Sequence, residues 1–152
     1  MTFASNLRCD LASEAQSRDP LAFDPDTPVR EVVAALQQHN AGTAVVSEEG
    51  RPVGIFTERD AIRLIAAASD MAMPIRDVMI NPVVCLPRQA SVGQAIQLMQ
   101  QHGYRSLPIV DDDGKLQGMI KVSGIVHYFV DHFPQTVLNL AAPNGTSERE
   151  GA

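Results

Sequence analysis

The chain has 152 residues, 45% of them apolar and 20% charged, with a formal net charge of -6. That length supports one domain with a substantial core and is too short for two ordinary ones; the acidic balance leaves no basic stripe to neutralise duplex phosphates, so no nucleic-acid (DNA or RNA) partner is expected. Its longest apolar runs, such as residues 62–68 broken by Arg63, are far below a bilayer span, and the N-terminus lacks a basic region followed by an apolar core, so a soluble, cytoplasmic protein without a membrane partner is expected.

Residues 1–19 are weakly patterned, with Leu7, Leu11 and Ala15 at the spacing of a short amphipathic helix. Pro20-Leu21-Ala22-Phe23 reads as a brief extended segment, closed by the turn chemistry of Asp24-Pro25-Asp26. Thr27 is placed to cap a helix and Pro28 to open it; Val29, Val32, Val33 and Leu36 share one face, and Asn40-Ala41-Gly42 ends it. Thr43-Ala44-Val45-Val46, the turn Ser47-Glu48-Glu49-Gly50 and Pro52-Val53-Gly54-Ile55-Phe56 then form a hairpin.

Gly54-Ile55-Phe56-Thr57-Glu58-Arg59-Asp60 reads as a strand running straight into a helix. Thr57 falls at the helix N-terminus, where unpaired backbone N–H groups and the positive end of the dipole favour an anion, and Asp60 lies in the first turn. A hydroxyl and a carboxylate so spaced suit a phosphate edge and a sugar diol, the two handles of a ribonucleotide. The same spacing is also the N-terminal capping box, in which the two side chains satisfy backbone donors and bind nothing else.

The order of elements then recurs. Asn81-Pro82-Val83-Val84-Cys85 matches the Pro20 segment, and Ser91 with Gln94 forms a capping box for a helix carrying Val92, Ala95, Ile96 and Met99, a shift of 63 from the first set (Val29 to Val92, Leu36 to Met99). Leu107-Pro108-Ile109-Val110, the turn Asp111-Asp112-Asp113-Gly114 and a strand over residues 116–120 repeat the hairpin with a shift of 64 (Gly50 to Gly114, Gly54 to Gly118). Two similar units, each too small to bury a core alone, imply an α/β fold of two pseudo-symmetric β-α-β-β-α halves. The expected layout is an N-terminal segment over 1–19, units over 20–70 and 71–133, and a largely flexible tail over 134–152, although residues 133–140 have the composition to dock.

The helix closing each unit has almost no polar face. Ala61, Ile62, Leu64, Ile65, Ala66, Ala67 and Ala68 in the first, and Ile125, Val126, Tyr128, Phe129 and Val130 in the second, require cover on both sides. A second copy of the chain is the expected cover, giving a homodimer; the alternative is the chain's own N-terminal residues.

Nothing in the sequence marks an enzyme. His39, His102, His127 and His132 are scattered, no nucleophile elbow, Gly-rich phosphate loop or HExxH pair is present, and no metal site is expected. Cys9 and Cys85 stand in unlike surroundings and suggest neither a disulfide nor a reactive thiol.

Val78-Met79-Ile80-Asn81-Pro82-Val83-Val84, Arg105-Ser106-Leu107-Pro108-Ile109-Val110-Asp111 and the two Gly-apolar-apolar strand ends together resemble a pair of cystathionine beta-synthase (CBS) domains, a Bateman module, over about 11–133. The resemblance implies a non-enzymatic regulatory module that requires no cofactor and binds an adenosyl ligand (AMP, ADP, ATP or S-adenosylmethionine) between the units, with an effector protein that the sequence does not identify. It implies Thr57 toward phosphate, Asp60 on the ribose hydroxyls, Ile55, Val83, Val84 and Pro108 around the ligand, and Arg105 toward phosphate, for which its fork of donors is suited. For Arg105 the alternative is a surface salt bridge to the acidic turn. The second unit carries Lys121 and Gly124 where the first has Thr57 and Asp60, so its equivalent site is expected to be degenerate, with Ser123 left to cap or touch a phosphate. The other reading of the whole is a ligand-free dimerisation and interaction module.

Overall fold

The first unit contains β2 (Ala22–Phe23), α1 (Val29–Gln38), β3 (Thr43–Glu48), β4 (Arg51–Thr57) and α2 (Glu58–Ala66). The second repeats them as β5 (Leu86–Pro87), α3 (Val92–His102), β6 (Ser106–Val110), β7 (Leu116–Lys121) and α4 (Val122–His132). A 3-10 turn stands ahead of each unit, Ala12–Ala15 followed by β1 (Gln16–Ser17), and Ile75–Asp77. This computed structural model describes residues 10–17 and 20–133, so the expectations for Leu7 and for the tail over 134–152 lie outside the described residues.

Each hairpin forms because alternating apolar residues flank a turn whose chemistry permits positive φ. Glu49 (φ 53) and Gly50 (φ 81) make the two-residue turn between β3 and β4, and Gly114 (φ 81) serves the second hairpin, where Asp111 Oδ1 accepts the N–H groups of Asp113 and Lys115, both at 2.9 Å. The first sheet has the order β2-β3-β4 and the second β1-β7-β6-β5, each with one parallel edge strand. In the first unit Val29, Val32 and Leu36 of α1 and Ala61 of α2 close over Ala44, Val46 and Phe56; in the second Val92, Ala95 and Met99 of α3 and Ile125 and Phe129 of α4 close over Leu107, Ile109 and Ile120. Both helices of a unit thus cover the same sheet face.

Three local expectations are corrected. Thr27 was expected to cap α1, yet the cap residue is Pro28 with no side-chain bond: the first helical N–H groups, of Val29 and Arg30, donate instead to the carbonyls of Met73 and Met71, both at 2.9 Å. The paired strand of the second unit is Leu86–Pro87, and Asn81-Pro82-Val83-Val84-Cys85 is an unpaired lead-in. Residues 12–15 form a 3-10 turn where an α-helical spacing was read.

The residues facing away from the helices show how the units meet. Val45 pairs with Ile55 and Pro108 with Met119; alternation along a strand turns all four away from their own helices, yet Val45 is fully buried, as are Pro108 and Met119. Each sheet therefore covers the other. The hairpin tips touch reciprocally, Gly50 against Lys115 and Gly114 against Arg51, and Leu116 N–H donates to the Gly50 carbonyl at 2.8 Å. These exchanged contacts mark the pseudo-twofold axis.

The docking segments obey the same axis and cross over. Residues 73–80 lie on the first unit, where Ile75 N–H donates to Thr27 at 2.8 Å, and residues 10–17 lie on the second, where Ala12 N–H donates to Ala90 at 2.8 Å and Val92 N–H to Asp10 at 2.9 Å. Ala12 and Ile75, both fully buried, fill equivalent places in the two cores. Among the described residues no helix is long and apolar enough to cross a membrane.

Candidate functional site

Thr57 is at once the last residue of β4 and the N-cap of α2, its backbone still extended (φ -119, ψ 165). The side chains of Thr57 and Asp60 complete a capping box: Asp60 Oδ2 accepts the Thr57 backbone N–H at 3.0 Å and the Thr57 hydroxyl at 2.9 Å, and Thr57 Oγ1 accepts the Asp60 N–H at 3.4 Å. The capping alternative is therefore realised. It does not exhaust the carboxylate, because both bonds that the Asp60 side chain accepts fall on Oδ2 and, among the described residues, none reaches Oδ1. Oδ2 holds the group in one orientation while Oδ1 keeps its acceptor capacity, which is what a diol requires. The Thr57 hydroxyl is spent on Asp60 and reaches a phosphate only by rotating its proton away.

Ile55 precedes Thr57 by two residues and shares its strand face, the one turned toward the second unit. The edge of β4 is taken by the linker: Ile55 and Ile80 exchange backbone bonds of 3.1 and 2.8 Å, and a Cβ on Gly54 would stand 2.8 Å from Met79 Cγ, so a glycine lets the linker lie flat on the strand. From Ile80 the chain crosses to the second unit through a cis Asn81–Pro82 bond. Val83 and Val84 on that crossing are half-buried, Val84 against the second core. Pro108 lies on the inter-unit face.

Arg105 stands at the start of α4, where its carbonyl accepts the Val122 N–H at 3.0 Å, just as Gly42 accepts Glu58 N–H at 3.0 Å at the start of α2. Its side chain is exposed. The acidic turn is paired by a different residue, Arg88, whose Nη2 is 2.9 Å from Asp112 Oδ2. The structure thus joins Thr57 to Asp60 directly and sets Ile55 beside them, while Val83, Val84, Arg105 and Pro108 come from the linker and the second unit, with no hydrogen bond or ion pair from Arg105 to Thr57 or Asp60 among the described residues.

The second unit builds its equivalent corner differently. Lys121 caps α4 with no side-chain bond, and Ser123 is exposed. A Cβ on Gly124 would stand 2.8 Å from the Ala15 carbonyl oxygen. This approach is not legible in the sequence, because it is made by backbone and leaves no side-chain pattern in residues 10–17.

Other features fall away as sites. A shallow cleft of about 280 Å3 is bounded by Leu11, Ser13, Arg88, Gln89, Ile109 and Gln117, and three of these side chains bond to the acidic turn: Arg88 and Gln89 to Asp112, Gln117 to Asp111. His39 and His132 direct Nδ1 to the carbonyls of Ala35 and Tyr128 near the ends of their helices, and no cluster of metal-ligating side chains occurs among the described residues. Burial pushes the Cys85 thiol above its ordinary range, away from the thiolate form that reacts.

Two facing βαββα units with one hydroxyl–carboxylate corner define the class. The family model for the CBS domain matches residues 12–67 and again 75–131, and the chain belongs to that family as a tandem CBS-domain protein. It is 34% identical over 123 residues to an uncharacterized protein of Methanopyrus kandleri, covering 79% of this chain and 63% of that one. It is 33% identical over 116 residues to the inosine-5'-monophosphate dehydrogenase of Methanocaldococcus jannaschii, covering 76% of this chain and 23% of the enzyme. A CBS domain protein from Pyrobaculum aerophilum, solved in complex with AMP, aligns with a TM-score of 0.73 at 25% identity over 87% of this chain and 98% of that one.

Proposed function

We propose that this chain is a non-enzymatic regulatory module that binds an adenosyl ligand (AMP, ADP, ATP or S-adenosylmethionine) between its two units and passes the resulting change in their packing to a separate effector protein. Asp60 takes the ribose diol through Oδ1, the Thr57 hydroxyl and the N-terminal end of α2 face phosphate, Ile55, Val83, Val84 and Pro108 line the apolar part, and Arg105 supplies positive charge. The observation that carries this reading is the carboxylate at a helix N-terminus with one oxygen tied and the other without a partner among the described residues. The AMP complex of the Pyrobaculum protein supports the ligand class. The module acts in the cytoplasm as a homodimer through the exposed apolar residues of the closing helices, Ile62 and Ile65 on α2 and Val126 and Val130 on α4.

A second reading, a ligand-free dimerisation module, is favoured by the Thr57 hydroxyl, which the capping box already uses. A thermal-shift screen against AMP, ADP, ATP and S-adenosylmethionine separates the two, because a compound that binds only the folded chain raises its melting temperature, by about 2.7 kcal/mol of stability at a hundredfold excess over Kd. At least one of the four is expected to do so; a flat response to all of them gives the protein to the second reading.

A further inference from the structure

The two docking segments are related by the pseudo-twofold axis and yet approach their units differently. Residues 73–80 meet the edge of β4 at one residue pair, Ile55 with Ile80. Residues 10–17 meet the edge of β7 at two, Ser17 with Met119 and Gln16 with Ile120. Met119 is the counterpart of Ile55, so the extra pair lies one residue closer to the start of α4, the corner equivalent to Thr57 and Asp60. Beyond it comes the Ala15 carbonyl, pressed on Gly124 so closely that no side chain fits there. In the first unit that position is Asp60, whose half-buried carboxylate bonds to Thr57 through Oδ2.

Further contacts hold the segment down. Ala12 is fully buried in the second core, its N–H donates to Ala90 at 2.8 Å, and the Tyr128 hydroxyl donates to Asp10 Oδ2. We propose that residues 10–17 are a built-in occupant of the second corner: the chain's own backbone fills the space that a ribose-binding carboxylate and its ligand take in the first, so that the module binds one adenosyl ligand per chain. The stoichiometry rests on the adenosyl reading of the first corner; the self-occupied corner does not.

Hydrogen exchange followed by mass spectrometry on the full chain, with and without saturating AMP, tests both. Without AMP, amides of residues 10–17 are expected to exchange as slowly as those of β7, and Gly124→Ala, which sets a methyl group against the Ala15 carbonyl, to speed them by about tenfold or more while β3 and β4 keep their protection. With AMP, protection rises around residues 55–60 and is unchanged at 10–17 and 121–124. Fast exchange of 10–17 in the wild-type chain, or an AMP-dependent change at 121–124, overturns the proposal, as does a Gly124→Ala protein that folds and keeps 10–17 protected. Should Gly124→Ala fail to fold, the wild-type exchange rates decide. Slow exchange at 10–17 with no AMP effect at 55–60 instead upholds the self-occupied corner and removes the adenosyl reading of the first.

Discussion

The caps of the helices show at single residues where local sequence decides the structure and where distant backbone does. Ser91 and Gln94 bond reciprocally, at 3.1 and 2.9 Å, as the S-x-x-Q spacing implies. Thr27, an equally good capping residue by type, makes no such bond because the Met73 and Met71 carbonyls already take the first N–H groups of α1. Ser91→Ala is therefore expected to cost about 1 kcal/mol of stability, and Thr27→Ala less than about 0.5 kcal/mol, as for a surface position. Urea denaturation of the two variants checks this, and equal losses would show that Thr27 caps α1 after all. The contrast also explains what was legible: capping boxes, turn glycines and helix faces are short-range patterns, whereas a carbonyl lent by a segment more than forty residues away has no spacing to read.

Among the elements, the closing helices differ more than their composition suggests. By sequence both are apolar nearly all round. In α2 only Ala61 is buried, while Ile62 and Ile65 are 66% and 60% exposed; in α4 Ile125, Tyr128 and Phe129 sit in the core, and Val126 and Val130 are 53% and 44% exposed. Phe129, the repeat counterpart of Ile65, is 9% exposed and belongs to the second core. Ile65→Asp is accordingly expected to leave the fold intact and shift the protein to monomer in light scattering, because it places an unpaired charge only in the proposed dimer contact. Phe129→Asp is expected to lower the melting temperature sharply or prevent folding, through loss of core packing and a buried charge. A wild-type chain monomeric at high micromolar concentration would refute the contact. The helices' apolar composition was visible in the sequence, but which face the core takes depends on the docking segment, since residues 10–17 bring their own cover to α4.

At the scale of the whole molecule the repeat was the strongest signal, with Val29 and Val92, Gly50 and Gly114 and the paired hairpins all in step. Two units that bury their sheets against each other make one folded body of a chain this short. The crossing of the docking segments was hidden, because Asp10, Leu11, Ala12 and Ser13 stand where Met73, Pro74, Ile75 and Arg76 do and share little beyond apolar character at the central pair. The difference between Asp60 and Gly124 is plain in the sequence, whereas the Ala15 carbonyl seated against Gly124 is not.

The proposed role of Asp60 in binding a ribose is decided by calorimetric titration of AMP into the wild-type and Asp60→Ala proteins. Loss of hydrogen bonds to a charged acceptor costs about 1.5–3 kcal/mol, on the order of a 10- to 100-fold weaker Kd, while loss of the capping box lowers folding stability by about 1 kcal/mol. The predicted result is one site per wild-type chain and that loss of affinity in the variant, at a temperature where both remain folded. An Asp60→Ala protein that binds AMP as tightly as the wild type would show that the carboxylate caps α2 and does nothing more.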